Sequence, residues 1–139
     1  MYKVFSAALM TSALLLTAGN HRAIAQNCTE NCRSDQIQFP VGEPIKVQVI
    51  NRSPALVEIE QVVRISPYRL RPTQSVDFDF RDGTLNNVSL VFWNSVDQPL
   101  RTLLSRPDRN TLRIEVFPFP YEPSDRSVYV LNDGRVVIY

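Results

Sequence analysis

From residue 36 onward, apolar and polar positions alternate with a period of two along most of the chain. That period belongs to strands with one buried and one solvated face. Ile37 and Phe39 open a short strand. Ile45, Val47 and Val49 share one face of the next, with Lys46 and Gln48 on the other, and Asn51-Arg-Ser-Pro54 turns the chain. Val57 and Ile59 alternate with Glu58 and Glu60. The alternation slips at Gln61, so Val62 to Ile65 continue this strand past a bulge. Val76, Phe78 and Phe80, separated by Asp77 and Asp79, form the clearest half-buried strand, and Asp82-Gly83 marks its turn. Val88 to Asn94 is apolar on both faces, as a central strand is.

Leu100, Leu103 and Leu104 fit one helical turn after Pro99, or the return arm of a hairpin from Val88 to Asn94. Five residues do not hold a helix unaided, so the strand is expected. Leu112, Ile114 and Val116 alternate with Arg113 and Glu115. Val128 and Val130 lead into Asn132-Asp133-Gly134-Arg135, and Val136 and Ile138 lead out. Asp-Gly predicts a tight type I′ hairpin there. The sum is an all-β domain, an immunoglobulin-like or Greek-key β-sandwich of eight or nine short strands. The ten prolines agree with it. An outer-membrane barrel needs strands of about 9–11 residues, longer than these.

The first segment follows another pattern. Lys3 precedes an apolar run from Val4 to Ala18, and Ala23-Ile24-Ala25 has the small-x-small form that signal peptidase reads. The run is 15 residues long, short of the roughly 20 that span a bilayer. Residues 1–25 are therefore expected to be a signal peptide and residues 26–139 a single domain, with no membrane span after cleavage. Cys28 and Cys32 are then the only cysteines of an exported chain and should form a disulfide near its N-terminus. The spacing has one residue more than the thioredoxin-type motif, and no helical pattern follows it.

Charge and composition exclude several functions. Without Lys3 and Arg22 the mature chain has 13 basic and 14 acidic residues, so no nucleic-acid partner is expected. Its only His, His21, lies in the signal segment. Ser-His-Asp and Cys-His nucleophile systems are thereby removed, as are His-based zinc sites. No cofactor or metal is expected. Glu58 and Glu60 share a strand face, as do Asp77 and Asp79, and a paired-carboxylate hydrolase would use such acids; alternation alone also places them there. Asp77-x-Asp79-x-x-Asp82-Gly83 misses the calcium-loop spacing by one residue.

Gly42-Glu-Pro-Ile-Lys-Val-Gln-Val-Ile-Asn51 resembles the corresponding strand of cupredoxins. In that family a copper-binding His follows such an Asn. Here Leu56-Val57-Glu58 holds the place, and the second ligand cluster has no counterpart. The resemblance implies a fold type and not a copper site. As a whole, Cys28 to Tyr139 looks like small uncharacterised exported proteins of cyanobacteria, on the strength of Cys28-x-x-x-Cys32, Ile37-Gln-Phe39, Ser89-Leu-Val-Phe-Trp-Asn94 and Asp125-Arg-Ser-Val-Tyr-Val-Leu-Asn-Asp-Gly-Arg135. That likeness implies an envelope location.

Candidate binding residues fall in two groups. Arg64, Tyr68, Arg69 and Arg71 lie close in sequence and would grip an anionic group, or else form a solvated edge that discourages sheet pairing. Phe117-Pro-Phe-Pro-Tyr-Glu-Pro123 should leave the sheet after Val116 as a stiff connection, because Pro biases the residue before it to extended geometry. Its Phe117 and Phe119 either close the open end of the sandwich as a lid or, with Tyr121, form a contact loop, Tyr121 being the one expected to reach solvent. Two function classes remain. One is a non-catalytic interaction or structural domain of the cell envelope, with an envelope protein as partner. The other is a carbohydrate-binding module that stacks a polysaccharide on Trp93 and tyrosines; a small carboxylate-based hydrolase comes third. The position of Trp93, on the surface or between the sheets, discriminates them. The intact mass of the exported protein should correspond to a chain starting at Gln26; a membrane-bound form retaining Met1 would contradict this reading.

Overall fold

Period-two patterning builds nine strands, β1 (Ile45–Asn51), β2 (Val57–Gln61), β3 (Tyr68–Leu70), β4 (Ser75–Phe80), β5 (Val88–Asn94), β6 (Leu100–Asp108), β7 (Thr111–Pro118), β8 (Ser127–Val130) and β9 (Val136–Ile138). They form a β-sandwich in which a four-stranded sheet, ordered β4-β1-β7-β6, packs on a five-stranded sheet, ordered β3-β2-β5-β8-β9. The computed structural model describes residues 28–62, 66–85 and 87–139. The expected signal peptide and Arg64 lie outside the described residues. Val47, Val49, Leu112, Ile114 and Val116 of the first sheet and Val57, Ile59, Leu90, Phe92 and Val128 of the second are essentially inaccessible to solvent. These alternating positions supply the core.

The chain changes sheet after β1, β3, β4, β5 and β7, so the loops must bind the two layers together. Asn51, fully buried at the end of β1, does so where two of those changes meet. Its Nδ2 donates to the Ala55 and Leu70 carbonyls at 2.8 and 3.0 Å. Its Oδ1 accepts from the Ser53 amide and hydroxyl at 2.8 and 2.7 Å. Leu70 ends β3 in the opposite sheet, and the main chain of Asn51 adds bonds with Gln74 and Thr73. An amide has two donors and two acceptor sites, and all are filled. Asn51-Arg-Ser53 also has the form of a glycosylation acceptor, but this amide is out of reach in the folded chain.

The N-terminal segment is a strap across the opposite side. Cys28 and Cys32 form the expected disulfide, with Cα atoms 5.7 Å apart. On either side of it, Arg106 N donates to Thr29 O and Cys32 N to Leu104 O, so the loop lies along the edge of β6. After a 3-10 turn at Ser34–Gln36, Gln38 bridges Arg135 beside β9, at the edge of the other sheet. Arg106 is buried with its guanidinium 5.0 Å from the centre of the Phe39 ring and bonded to the Arg109 carbonyl. Burial, then the neighbouring Arg109, lower its affinity for the proton.

Several sequence expectations are corrected. Ile37 and Phe39 are buried but make no strand, because the strap crosses between sheets and leaves Gln38 as an isolated bridge. Leu100 to Leu104 is strand, the start of the nine-residue β6, but its hairpin partner is β7 and not β5, which lies in the other sheet. β2 ends at Gln61; Val62 is an exposed turn residue, and the rest of the expected continuation lies outside the described residues. Between β8 and β9 only Gly134 has positive φ, so the Asp-Gly turn is not type I′. Gly134 N instead bonds to Leu131 O, and Leu131 N to Arg135 O, as in a three-residue hairpin loop with a bulge. A Cβ on Gly134 would sit 1.9 Å from the Phe39 carbonyl oxygen, so strap and hairpin meet too closely for any side chain.

Replacing Asn51 by Ala should cost about 3 kcal/mol or more of unfolding free energy, because two carbonyls and an amide lose their partners in a dry site. Urea denaturation checks this. A loss below about 1 kcal/mol would show that water repairs the site.

Candidate functional site

The outward faces of the two sheets differ. On the four-stranded sheet, Lys46 and Gln48 stand between Asp77 and Asp79 on β4 and Thr111 and Arg113 on β7. Arg113 Nε donates to Gln48 Oε1 at 2.8 Å, Lys46 Nζ lies 4.0 Å from Asp77 Oδ2, and Arg52 pairs with Glu115 at 2.8 Å. This face is mainly polar, with Ile50, Leu103 and Phe117 half-buried at other outward positions. On the five-stranded sheet the outward positions of β5 are Ser89, Val91 and Trp93, opposite Tyr129 and Ser127 of β8. Tyr139 exchanges main-chain bonds with Ser127, and its ring packs edge-to-face on Tyr129 with centres 5.5 Å apart. This face is aromatic and apolar, and part of it is exposed.

Trp93 lies on that outer face and is 37% exposed. It stands directly opposite Glu58, which stands opposite Arg69. One carboxylate serves both neighbours: Glu58 Oε2 accepts from Trp93 Nε1 at 2.7 Å, and Oε1 accepts from Arg69 Nε at 2.9 Å. The indole is thus tethered by its N–H edge, and the strand ladder fixes where that edge points. Beyond Trp93 lies a cleft of about 240 Å³, lined by Val91, Asp97, Gln98, Glu122, Ser124 and Arg126 among others. Asn94 holds one wall, since its Nδ2 donates to Gln98 O and its Oδ1 accepts from Gln98 N. Asp125 holds the other, accepting from the Thr102 amide and hydroxyl across to β6.

A second cleft, of about 880 Å³, opens at the other end of β5. Phe80, Leu85, Val62 and Tyr129 supply its apolar lining, and Gln61, Asn87 and Ser89 its polar groups. The turn that bounds it is set by Gly83, where a Cβ would sit 1.9 Å from the Glu43 carbonyl oxygen. Thr84 Oγ1 donates to Asn132 O and accepts from Gly42 N, tying that turn to two other loops.

The residues picked from the sequence do not gather in one place. Arg69 is on the outer face but is taken by Glu58. Tyr68 points the other way, its ring edge-to-face with Phe78 at 4.9 Å, and Arg71 is exposed in the crossing to β4. Phe117 belongs to β7, which runs on to Pro118, so the chain leaves the sheet two residues later than expected. Its side chain is half-buried at an outward position, since Val116 faces the core, and it is no lid over the end of the sandwich. Phe119 is half-buried between Arg101, 5.3 Å from its ring centre, and Tyr121. Tyr121 reaches solvent, 69% exposed. Trp93 was singled out by residue type alone; its pairing with Glu58 is a matter of register, and no local signal in the sequence gives that.

No protein-family model and no curated protein matches the chain. Among the described residues no helix is long and apolar enough to cross a membrane.

Trp93→Ala should cost about 1 kcal/mol, as a partly exposed position does. Phe92→Ala, one residue away and facing the core, should cost about 3–5 kcal/mol. Urea denaturation of the two variants separates the faces. Equal losses would show that Trp93 is a structural residue.

Proposed function

We propose that this is a non-catalytic binding domain of the cell envelope, exported to the periplasm or beyond, that holds a carbohydrate against Trp93. The supporting observation is the position of the indole: outward, tethered by its N–H edge, and at the rim of a polar cleft. A sugar ring has an apolar C–H face and a rim of hydroxyls. A flat aromatic takes the first, and side-chain amides, carboxylates and guanidinium groups take the second. Gln98, Asp97, Glu122 and Arg126 are such groups.

The non-catalytic part of the reading is supported by Glu58 and Asp125, which are engaged within the fold, while Asp97 and Glu122 of the cleft are read as ligand-binding groups. Both oxygens of Glu58 hold neighbouring side chains, and Asp125 is bonded to β6. These acids position the wall and the platform. Asp77 stands on the charged face away from both clefts, and Asp79 lines the second cleft and not the one at Trp93.

Recognition of a protein through the proline-rich loop is the second reading, favoured by the exposure of Tyr121. Pull-down on insoluble envelope polysaccharide separates the two. The wild type should be retained. Trp93→Ala should lose retention while unfolding at nearly the same temperature, and Tyr121→Ala should keep it. If Tyr121→Ala loses partner capture and Trp93→Ala does not, the loop is the site and the carbohydrate reading is wrong.

A further inference from the structure

The two clefts share β5. Trp93 and Val91 line the first, and Ser89 lines the second. These three are successive outward positions of one strand. The distance from Trp93 to Ser89 is roughly 13 Å by strand rise. The row beside them carries Ser127 and then Tyr129, whose ring meets that of Tyr139. Aromatic groups therefore mark both ends of a track, Trp93 at one and Tyr129 at the other, with Tyr139 beside Ser127 at the level of Val91.

Charge narrows what the track can take. Near Trp93, with Glu58 and Arg69 paired to each other, Glu60, Asp97 and Glu122 outnumber Arg126 among the described residues. At the far cleft, among the described residues, Asp79 and Asp82 line the wall with Arg81. A polymer of uronic acids or phosphates would meet this excess of like charge along its length. An uncharged one would not, and Gln98, Ser124, Ser89, Asn87 and Gln61 offer neutral groups to its hydroxyls.

We propose that the ligand is a linear, non-anionic polysaccharide bound along β5, with one subsite on Trp93 and a second at the cleft of Tyr129, Leu85 and Phe80. This rests on the carbohydrate reading above and adds the length, direction and charge of the ligand. A chain engaging both ends gains the second contact without a second association cost.

The test is titration calorimetry on the full mature domain with uncharged oligomers of glucose, mannose, xylose and N-acetylglucosamine, each as single sugar, dimer, tetramer and hexamer, and with oligogalacturonate as the anionic control. For the series that binds, the hexamer should bind at least about tenfold more tightly than the dimer. Tyr129→Ala should bring the hexamer down to the affinity of the dimer. Leu85→Ala, at an exposed position that folding does not need, should act in the same direction. Dimer and hexamer of equal affinity would overturn the track and leave the Trp93 site standing. Preference for oligogalacturonate would overturn the assignment of charge. No binding in any series would overturn both this proposal and the carbohydrate reading.

Discussion

The fold depends on a buried amide. A sandwich whose chain changes sheet this often has to bring main-chain polar groups into the space between layers, and each must find a partner there. The Asn51 side chain supplies partners for three of them at once, two on the turn before β2 and one at the end of β3, and for the Ser53 hydroxyl as well. A carboxylate could not donate to the Ala55 and Leu70 carbonyls, and an apolar group could do neither job. With that corner fixed, β2 and β3 take their register, and with it Glu58 takes its place opposite Trp93. The platform thus descends from a bond made in the core.

The edges are managed by covering them. Along β6, Leu100 O accepts from Asp125 N, Thr102 N donates to Asp125 Oδ2, Leu104 O accepts from Cys32 N and Arg106 N donates to Thr29 O. The proline-rich crossing covers one half and the disulfide-braced strap the other. Both coverings also carry the chain or a contact to the second sheet, so the edge is closed by the same segments that join the layers. A consequence for recognition is that β6 has little left to offer an added strand.

The sequence is legible where a residue answers to its own burial. Alternation identifies β1, β4, β5, β7 and the β8–β9 hairpin, and exposes the apolar character of both faces of β5. The disulfide follows from the expectation of export and from the cysteine count. It is illegible where a side chain answers to a distant partner. Ile37 and Phe39 alternate as a strand would because both reach the core, yet the strap they ride on has no ladder to join. β6 was matched to the wrong neighbour because sheet order is a long-range property. Gly134 signals a turn, but the approach of the Phe39 carbonyl decides which turn. Arg69 reads as a free cation until register sets it against Glu58. The candidate site is made of such pairings, which is why Trp93 was visible as a residue and its cleft was not.

The contrast between the two outer faces bears on function more than any single residue does. Both are solvent faces of the same small sandwich. If exposure alone governed their composition they would be alike. Much of one is made of Lys, Gln, Arg, Asp and Glu side chains, several of them bonded in pairs, beside the half-buried Ile50, Leu103 and Phe117. Such a surface keeps a domain soluble and offers a partner little, because each group must first be released. The other keeps Trp93, Val91, Tyr129, Val137 and Tyr139 near water, where they add nothing to the core. Scattered apolar groups on a surface need no account, but a contiguous set on one face, bounded by clefts at both ends of a central strand, does. The indole is even held in place by a carboxylate that has no other task than to bond it and Arg69. Fixing an exposed aromatic ring costs side-chain entropy that folding gains little from. It reduces the entropy left to lose when something flat is laid against it.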